Sequence, residues 1–277
     1  MEKEIGIIGN GFVGEALAFV FSPSCKVKIY DIVKSRSVNS LENTLNSDFV
    51  FICLPTPMNE DGSQDLSYIN DFFNNNSIVD RPIYIIKSTV LPGVTRNLSK
   101  KFSNLKIVFS PEFLTQRTAK LDIITQSRII IGSDNDKYSD ELEKLFLIRF
   151  KNKNIIKTNT ITAEFIKYMN NNFFATKVSL MNEFYRLSKK IGVDWETALH
   201  GFVSDHRIGD SHLDVPGPDG KLGFGGACFP KDINSFIHFA KDNDVNMNIL
   251  EAAWKTNLEV RPEEDWKDLK GRAVSDD

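Results

Sequence analysis

The stretch EIGIIGNGFVG, residues 4–14, decides the fold. A short apolar run, Glu4–Ile8, is followed by the pattern Gly-x-Gly-x-x-Gly and then by a stretch of helical character, Glu15–Phe21. Glycines at these positions allow a tight turn and a close approach of the backbone to a pyrophosphate, and the helix start supplies N–H donors. The pattern therefore predicts a strand, a turn and a helix that together bind a dinucleotide.

An acidic residue stands where the dinucleotide site needs one. Asp31 ends the next predicted strand, Val27–Tyr30, and lies 22 residues after Gly9. A carboxylate there accepts hydrogen bonds from ribose hydroxyls and repels a 2′-phosphate, which favours NAD over NADP. The nearby Lys34 and Arg36 weaken that preference slightly.

Short apolar runs alternate with helical patterns through the first half of the chain. Further strands are predicted at Phe49–Cys53, Ile83–Ile86, Ile107–Phe109 and Arg128–Ile131, and helices at Ser67–Asn74 and Val94–Phe102. This alternation is typical of an α/β protein, and we expect a Rossmann-type, doubly wound parallel sheet.

The pattern changes to long helical periodicity near residue 160. Thr162 is a plausible N-cap with Glu164 in the first turn, and no glycine or proline follows until Gly192. We therefore expect an all-helical second domain built on one long helix. The predicted domains are an NAD-binding domain at 1–157, a helical central domain at 158–258 and a charged C-terminal tail at 259–277, in line with a length of 277 residues.

Composition and charge exclude several classes of function. The net charge of −3 provides no basic field for nucleic acid, and no run of about 18 apolar residues predicts a membrane span. The N-terminus does not have the form of a signal peptide. The three cysteines, Cys25, Cys53 and Cys228, lack metal-site spacing, so we expect no metal and a reducing, cytoplasmic location.

A glycine-rich segment carries one of these cysteines. In Gly225-Gly226-Ala227-Cys228-Phe229-Pro230-Lys231-Asp232, Cys228 lies in a loop context that favours access. Lys231 brings a nearby positive charge that favours a thiolate, and Asp232 is placed to reach the same space. The alternative, a small buried hydrophobe, is the reading we give to Cys25 and Cys53, and the loop alone does not decide between the two for Cys228.

Two further groups are ambiguous when taken alone. Lys167 and Asn171 are four residues apart on the long helix and project from one face, which also describes an ordinary solvated polar face. Glu112 lies in the segment Ser110-Pro111-Glu112-Phe113-Leu114, a turn after a strand that by itself indicates little.

Taken together, these segments resemble the UDP-glucose/GDP-mannose dehydrogenase family. The matching stretches, within residues 4–258 and in the family's order, are GIIGNGFVG, FICLPTPMNEDGSQDLSYI, KSTVLPGVT, SPEFL, AEFIKYMNNNF with a later NE, HRIG, and GFGGACFPKD. The last motif, with its central cysteine, is highly specific. The resemblance implies a short form that lacks the family's C-terminal UDP-binding domain.

The resemblance implies an NAD-dependent, four-electron oxidation of a nucleotide-sugar CH₂OH group to a carboxylate, with UDP-glucose as the leading substrate and a homodimer formed through the helical domain. It implies an NAD site of Gly9, Gly11, Phe12, Val13, Gly14, Asp31, Arg36, Thr56 and Thr89. It implies Cys228 as nucleophile, Lys167 and Asn171 as oxyanion stabilisers, Asp232 and Thr89 as groups that hold or activate water, and Glu112 as an aid to thioester hydrolysis. It implies substrate contacts from Glu112, Phe113, Leu114, Lys167, Asn171, Arg207, Phe224 and Gly225.

One departure from the family pattern and two alternatives accompany this expectation. The family usually has a second glutamate four residues after the one at 112, where this chain has Gln116, so Glu112 would act alone in hydrolysis. One alternative is an NAD-binding half-enzyme or non-catalytic module that needs a partner chain for the missing nucleotide-binding domain. The other is a β-hydroxyacid-type dehydrogenase, against which the loop of Cys228 argues because that chemistry needs no cysteine.

Overall fold

A computed structural model describes residues 2–276 of the chain. These residues form two compact units: unit 1 comprises residues 2–56 and 66–167, and unit 2 comprises residues 57–65 and 168–276. The expected domain boundary lies after residue 157, whereas the units divide after Lys167. Residues 1 and 277, which the expected domains include, lie outside the described residues.

Unit 1 is built on one sheet, to which the described residues contribute seven strands in the order β2-β1-β3-β4-β5-β6-β7. The strands are β1 (Glu4–Ile8), β2 (Lys26–Tyr30), β3 (Phe49–Ile52), β4 (Ile83–Ile86), β5 (Lys106–Phe109), β6 (Arg128–Gly132) and β7 (Asn154–Thr158). Strands β1 to β5 are parallel, which confirms the predicted fold class. The pairing of β5 with β6 is antiparallel, and β7 is an additional strand that the sequence did not predict.

Helices cover both faces of this sheet. They are α1 (Phe12–Phe21), α2 (Leu41–Leu45), α3 (Ser67–Asn75), α4 (Val94–Lys101), α5 (Ala119–Thr125) and α6 (Asp136–Arg149). Alternate residues of a strand face opposite sides, so Phe49 and Phe51 of β3 join one apolar cluster while Val50 and Ile52 join the other. Burial on both faces explains the continuous apolar runs that the sequence shows.

The long predicted helix is present as α7 (Thr160–Ile191), and its residues through Lys167 belong to unit 1. Its N-cap differs from the prediction. Asn159, rather than Thr162, caps the helix, because the Asn159 side chain accepts the Thr162 N–H at 2.9 Å. Glu164 was expected in the first turn, but α7 begins at Thr160 and its first turn contains no acidic residue. The Glu164 carboxylate instead accepts the N–H groups of Gly93 and Thr95 at 2.6 and 2.8 Å and so caps α4.

Unit 2 is helical, as predicted, and contains the rest of α7 with α8 (Trp195–Val203), α9 (Phe229–Asp242) and α10 (Asn248–Val260). Met181 and Trp195 form an apolar cluster with Leu213 and Val215. None of the helices in the described part of the chain is long and apolar enough to cross a membrane.

The segment expected as a charged tail is folded over its described residues, 259–276. After α10 ends, a single 3-10 turn, Asp265–Asp268, places Trp266 in a fully buried position. Trp266 packs with Met58 and Ala273. The Met58 N–H donates to the Ala273 carbonyl oxygen at 3.0 Å. Burial of the indole ring, together with this backbone bond, holds a stretch whose composition is otherwise charged.

Candidate active site

The glycine-rich turn joins β1 to α1. Gly9 has a φ of +92°, and a Cβ there would lie 2.5 Å from the carbonyl oxygen of Cys53. A Cβ at Gly14 would lie 2.1 Å from the Gly9 oxygen, whereas one at Gly11 would meet no described atom within 4 Å. The first and last glycines therefore permit close packing, and the middle one borders open space at the N-terminus of α1.

Asp31 lies beside this turn. One carboxylate oxygen accepts the N–H of Asn10 at 2.7 Å, and the other accepts the N–H of Val33 at 2.8 Å. The Asn10 side chain in turn donates to the Arg36 carbonyl oxygen at 2.8 Å, so the segment with Arg36 is tied to the same turn. Each carboxylate oxygen keeps further acceptor capacity, as a ribose hydroxyl requires.

These residues fit a bound dinucleotide. The open space before Gly11 faces the N–H groups of the first turn of α1, where the helix dipole favours a phosphate. Phe12 and Val13, the first residues of α1, pack partly buried against the core and hold this end of the helix on the sheet.

Two predicted cofactor residues meet at the carboxyl ends of neighbouring strands. The buried hydroxyl of Thr56, which follows β3, donates to the Thr89 carbonyl oxygen, which follows β4, at 2.7 Å. Open α/β sheets bind their ligands at this edge. The structure thus brings the two threonines together at the edge where a cofactor is expected.

Glu112 and Lys167 form a buried ion pair within unit 1. Lys167 Nζ donates to Glu112 Oε1 at 3.1 Å, and Glu112 Oε2 accepts the Leu114 N–H at 2.5 Å. The Lys167 ammonium also lies 5.4 Å from the centre of the Phe113 ring. The turn SPEFL, which indicates little by itself, therefore places its carboxylate against a cation from the long helix.

Lys87 is a site residue that sequence reasoning missed. It follows β4, is buried, and donates from Nζ to the Pro111 carbonyl oxygen at 3.0 Å. Burial lowers the pKa of Lys87 to about 8, while the nearby Cys53 and Glu112 act in the opposite direction. Burial likewise raises the pKa of the Cys53 thiol to about 12, although Cys53 is half-buried rather than fully buried as predicted.

Cys228 is the N-cap of α9 in unit 2, and Pro230 occupies the first turn. Cys228 is half-buried and begins a helix whose first N–H groups favour a negative charge, a setting typical of reactive cysteines. The Cys228 carbonyl oxygen accepts the N–H of Asp232 at 3.0 Å, so the cysteine and this acid share one helical turn.

The Asp232 carboxylate is buried between an amide and an ammonium. Asn171 Nδ2 donates to Asp232 Oδ2 at 2.6 Å, and Lys231 Nζ donates to Asp232 Oδ1 at 2.5 Å. Asn171 thus projects into unit 2 rather than onto a solvated face. The Lys231 ammonium, whose charge was expected to favour a thiolate at Cys228, forms an ion pair with Asp232.

The predicted substrate residues of unit 2 differ in setting. Phe224 is buried, and both of its backbone polar groups are bonded to Asn257. Gly225 lies close to the Arg261 guanidinium, since a Cβ there would be 2.6 Å from Nη2. Arg207 is exposed and pairs with Asp205. Sequence patterns gave no signal for Asn257 or Arg261, because both are polar residues in or after a helix.

Two parts of the chain match models of one family. Residues 34–148 match the model described as the UDP-glucose/GDP-mannose dehydrogenase family, NAD binding domain. Residues 161–259 match the model described as the central domain of the same family. Together they cover more than half of the chain, and the NAD-binding match confirms the predicted cofactor.

Individual relatives agree with these matches. A UDP-glucose 6-dehydrogenase of Rickettsia bellii (strain RML369-C) is 36% identical over 225 residues, which are 79% of this chain and 51% of the relative. The chain thus spans about half the length of the Rickettsia relatives it matches. The structure of a UDP-glucose dehydrogenase from the archaeon Pyrobaculum islandicum has a TM-score of 0.81 at 27% identity and covers 94% of this chain and 68% of that one.

A third similarity concerns the fold alone. The 3-hydroxyisobutyrate dehydrogenase of Mycobacterium tuberculosis has a TM-score of 0.76 at 15% identity, and the match covers 95% of each chain. The β-hydroxyacid-type alternative therefore shares this fold plan.

Proposed function

Because the chain belongs to the UDP-glucose/GDP-mannose dehydrogenase family, we propose that it oxidises the 6-CH₂OH group of a nucleotide sugar to a carboxylate with two equivalents of NAD⁺. UDP-glucose is the first substrate to test, since the Rickettsia and Pyrobaculum relatives are named as UDP-glucose dehydrogenases. The observation that carries the proposal is Cys228 at the N-terminus of α9, one helical turn from the buried Asp232.

The cofactor site belongs to unit 1. The turn of Gly9, Gly11 and Gly14 would hold the pyrophosphate, and Asp31 would accept hydrogen bonds from the adenosine ribose. Arg36, Thr56 and Thr89 would complete this site. When bound, NAD⁺ supplies the hydride acceptor for both oxidations.

Cys228 explains how two oxidations proceed on one carbon. The first oxidation removes a hydride and the hydroxyl proton from the alcohol and leaves an aldehyde. The Cys228 thiolate then forms a bond to the aldehyde carbon, and the resulting thiohemiacetal carries a C–H bond that can lose a second hydride. The product is a thioester on Cys228, so the carbon reaches the oxidation level of an acid while still attached to the protein.

Hydrolysis of the thioester needs a held water and a stabilised oxyanion. Each oxygen of the Asp232 carboxylate accepts one hydrogen bond from the protein and retains capacity for a water proton. Lys167 and Asn171 supply an ammonium and an amide donor for negative charge on oxygen. Glu112 would aid this step, in which water adds to the thioester carbon and the sulfur leaves as a thiolate.

The substrate contacts belong to the proposal as well. Phe113 and Leu114, which flank the Glu112 turn, and Phe224 with Gly225, which precede the nucleophile, would line the sugar site. Arg207 is exposed and would meet the nucleotide portion. We place the reaction in the cytoplasm, because the predicted cysteine nucleophile must stay reduced.

A homodimer is also part of the proposal. The unit-2 part of α7 exposes a stripe of large apolar side chains at helical spacing: Met169, Phe173, Leu180, Phe184, Leu187 and Ile191. Stripes of this kind are costly in water and typical of interfaces. We expect a second copy of the chain to cover it, and light scattering at micromolar concentration should give twice the monomer mass. A monomer would contradict this part of the proposal.

The experiment that tests the function is NADH production by the purified chain with excess NAD⁺ and a limiting amount of UDP-glucose, GDP-mannose or a UDP-N-acetyl sugar. Two NADH per sugar support the proposal, and the Cys228→Ser variant should then form no acid. NAD binding without turnover of any sugar would instead favour the half-enzyme or binding-module alternative. One NADH from a short hydroxy acid, such as 3-hydroxyisobutyrate, would favour the β-hydroxyacid alternative.

A further inference from the structure

In the loop that precedes Cys228, one amide side chain bonds to both backbone polar groups of Phe224. The Phe224 N–H donates to Asn257 Oδ1 at 2.7 Å, and the Phe224 carbonyl oxygen accepts from Asn257 Nδ2 at 2.9 Å. Asn257 lies on α10 and is fully buried. It therefore pairs with both polar groups of one residue, as a neighbouring β-strand would.

A second amide side chain, that of Asn182, bonds to the residue that precedes Phe224. Asn182, on α7 and also buried, accepts the Gly223 N–H at 3.0 Å. Gly223 has a φ of +66°, and a Cβ there would lie 2.4 Å from Asn257 Oδ1. The loop backbone thus passes close to Asn257 at a place where only glycine fits.

The loop is fixed on its remaining sides as well. The Phe224 ring lies between the rings of Trp254 and Phe229, with centroids at 6.1 and 6.0 Å. Arg261, which lies against Gly225, is itself bonded to Asp265 at 2.6 Å. From Gly225 the chain runs directly to Cys228 at the start of α9.

We propose that Asn257, assisted by Asn182, is a positioning residue that fixes the backbone path of Gly223–Gly225 and thereby the location of Cys228 and of the adjacent sugar contacts. Its kinetic consequence rests on the proposed function. Removal of the amide leaves a buried N–H and a buried carbonyl oxygen without partners, so the loop must move. A displacement of about 1 Å at a reacting group is enough to lower a rate about 100-fold.

The test compares Asn257→Ala with the matched control Ser179→Ala. Ser179 of α7 donates to the Ala253 carbonyl oxygen of α10 at 2.6 Å, so the control breaks a buried hydrogen bond between the same two helices without touching the loop. In Asn257→Ala we expect the KM for the nucleotide sugar to rise about tenfold and kcat to fall, with the KM for NAD⁺ within about twofold of wild type. Ser179→Ala should change the sugar KM by less than about threefold.

A second variant separates positioning from mere stability. Asn257→Asp keeps an acceptor for the Phe224 N–H and loses the donor to the Phe224 carbonyl, so its sugar KM should fall between wild type and Asn257→Ala. The sugar KM should follow this order even where the melting temperatures of the Asn257 variants equal that of Ser179→Ala. Equal kinetic effects of Asn257→Ala and Ser179→Ala would overturn the inference.

Two readouts do not depend on turnover, so failure of the proposed function can be told apart from failure of the inference. Hydrogen exchange of the Phe224 amide should be at least about tenfold faster in Asn257→Ala than in Ser179→Ala. The alkylation rate of Cys228 by iodoacetamide should also differ by at least about threefold between these two variants. If both readouts are the same in the two variants, the inference is wrong even where the sugar is oxidised as proposed.

Discussion

Lys167 Nζ lies 3.1 Å from Glu112 Oε1, and these two side chains are only 4% and 8% exposed. An ion pair so deeply buried is costly to form, because both charges lose their water shells. Stability alone therefore does not explain why the pair is present beside the turn SPEFL, and this is consistent with the roles that we propose for both residues. The pair also shows that two residues that were ambiguous in the sequence belong to one arrangement.

Removal of one partner from this buried ion pair should lower the free energy of unfolding far more than removal of one partner from an exposed ion pair. Glu112→Ala leaves the Lys167 ammonium buried and uncompensated, which should lower the free energy of unfolding by about 3–5 kcal/mol. The matched control is Glu259→Ala, which breaks the exposed pair with Arg186 and should cost at most about 1 kcal/mol. Urea denaturation measures both, and similar losses in the two variants would show that the Lys167 charge is not held by Glu112.

In the cofactor turn, alanine at Gly11 should weaken NAD binding, whereas alanine at Gly14 should lower stability. Gly11→Ala adds a methyl group into open space, so the free energy of unfolding should change by about 1 kcal/mol or less while the Kd for NAD rises at least about tenfold. Gly14→Ala forces a methyl group against the Gly9 oxygen and should cost about 3 kcal/mol of stability. Thermal unfolding and calorimetric titration with NAD check this pair. If Gly11→Ala binds NAD with the wild-type Kd, the pyrophosphate does not bind at this turn.

Lys87 should make stability rise with pH in the alkaline range. Its folded pKa of about 8 lies below the ordinary value of 10.5, so between these values the unfolded chain binds more protons and the native state gains stability as pH rises. Below about pH 8 both states carry the charge, and the native state bears the cost of burying it.

Lys87→Met should therefore be more stable than wild type at pH 7, by about 1–3 kcal/mol, and should lose this advantage between pH 8 and 10.5. The control is Lys106→Met, because Lys106 also donates to a backbone carbonyl, that of Arg81, but through an exposed hydrogen bond. Urea titrations at several pH values give the comparison. A constant difference between Lys87→Met and wild type across this range would show that Lys87 is not desolvated.

Asn171→Asp should create a destabilising pair of carboxylates. The Asn171 amide donates to Asp232 at 2.6 Å, and a carboxylate in its place faces a like charge unless one proton is shared. Asn171→Asp should therefore lower the free energy of unfolding at pH 7 by about 1–3 kcal/mol. Asn152→Asp, which adds the same charge at an exposed position, should lower it by much less. Urea denaturation measures both variants, and equal losses would contradict the buried contact.

The parts of the fold that the sequence predicts well are those in which burial sets the pattern. The bounds of β1 and β4 agree with the predicted runs, since both strands are apolar on either face of the sheet. Strand β7 was missed because it is an edge strand with several exposed residues and lacks such a run. The N-cap at Asn159 was missed because Thr162, three residues later, satisfies the same composition rule.

The sequence singles out residues of the candidate site only where they lie in short local motifs. The glycine turn, Cys228 and Asp232 are each part of a short, specific segment. Lys87 and Asn257 carry no such signal, because their partners lie 24 and 33 residues away in the sequence and are backbone groups. A polar residue of this kind looks solvated until the tertiary structure supplies its partner.

The most direct test of the central claim is to trap the covalent intermediate. Glu112→Gln retains a polar side chain but removes the carboxylate that we propose aids hydrolysis, so incubation with NAD⁺ and UDP-glucose should leave a nucleotide-sugar acyl group on the protein. Mass spectrometry of the acid-quenched digest should place that adduct on the peptide containing Cys228, with two NADH formed per adduct. Formation of two NADH per sugar without any adduct on Cys228, or an adduct on another residue, would contradict the proposed mechanism.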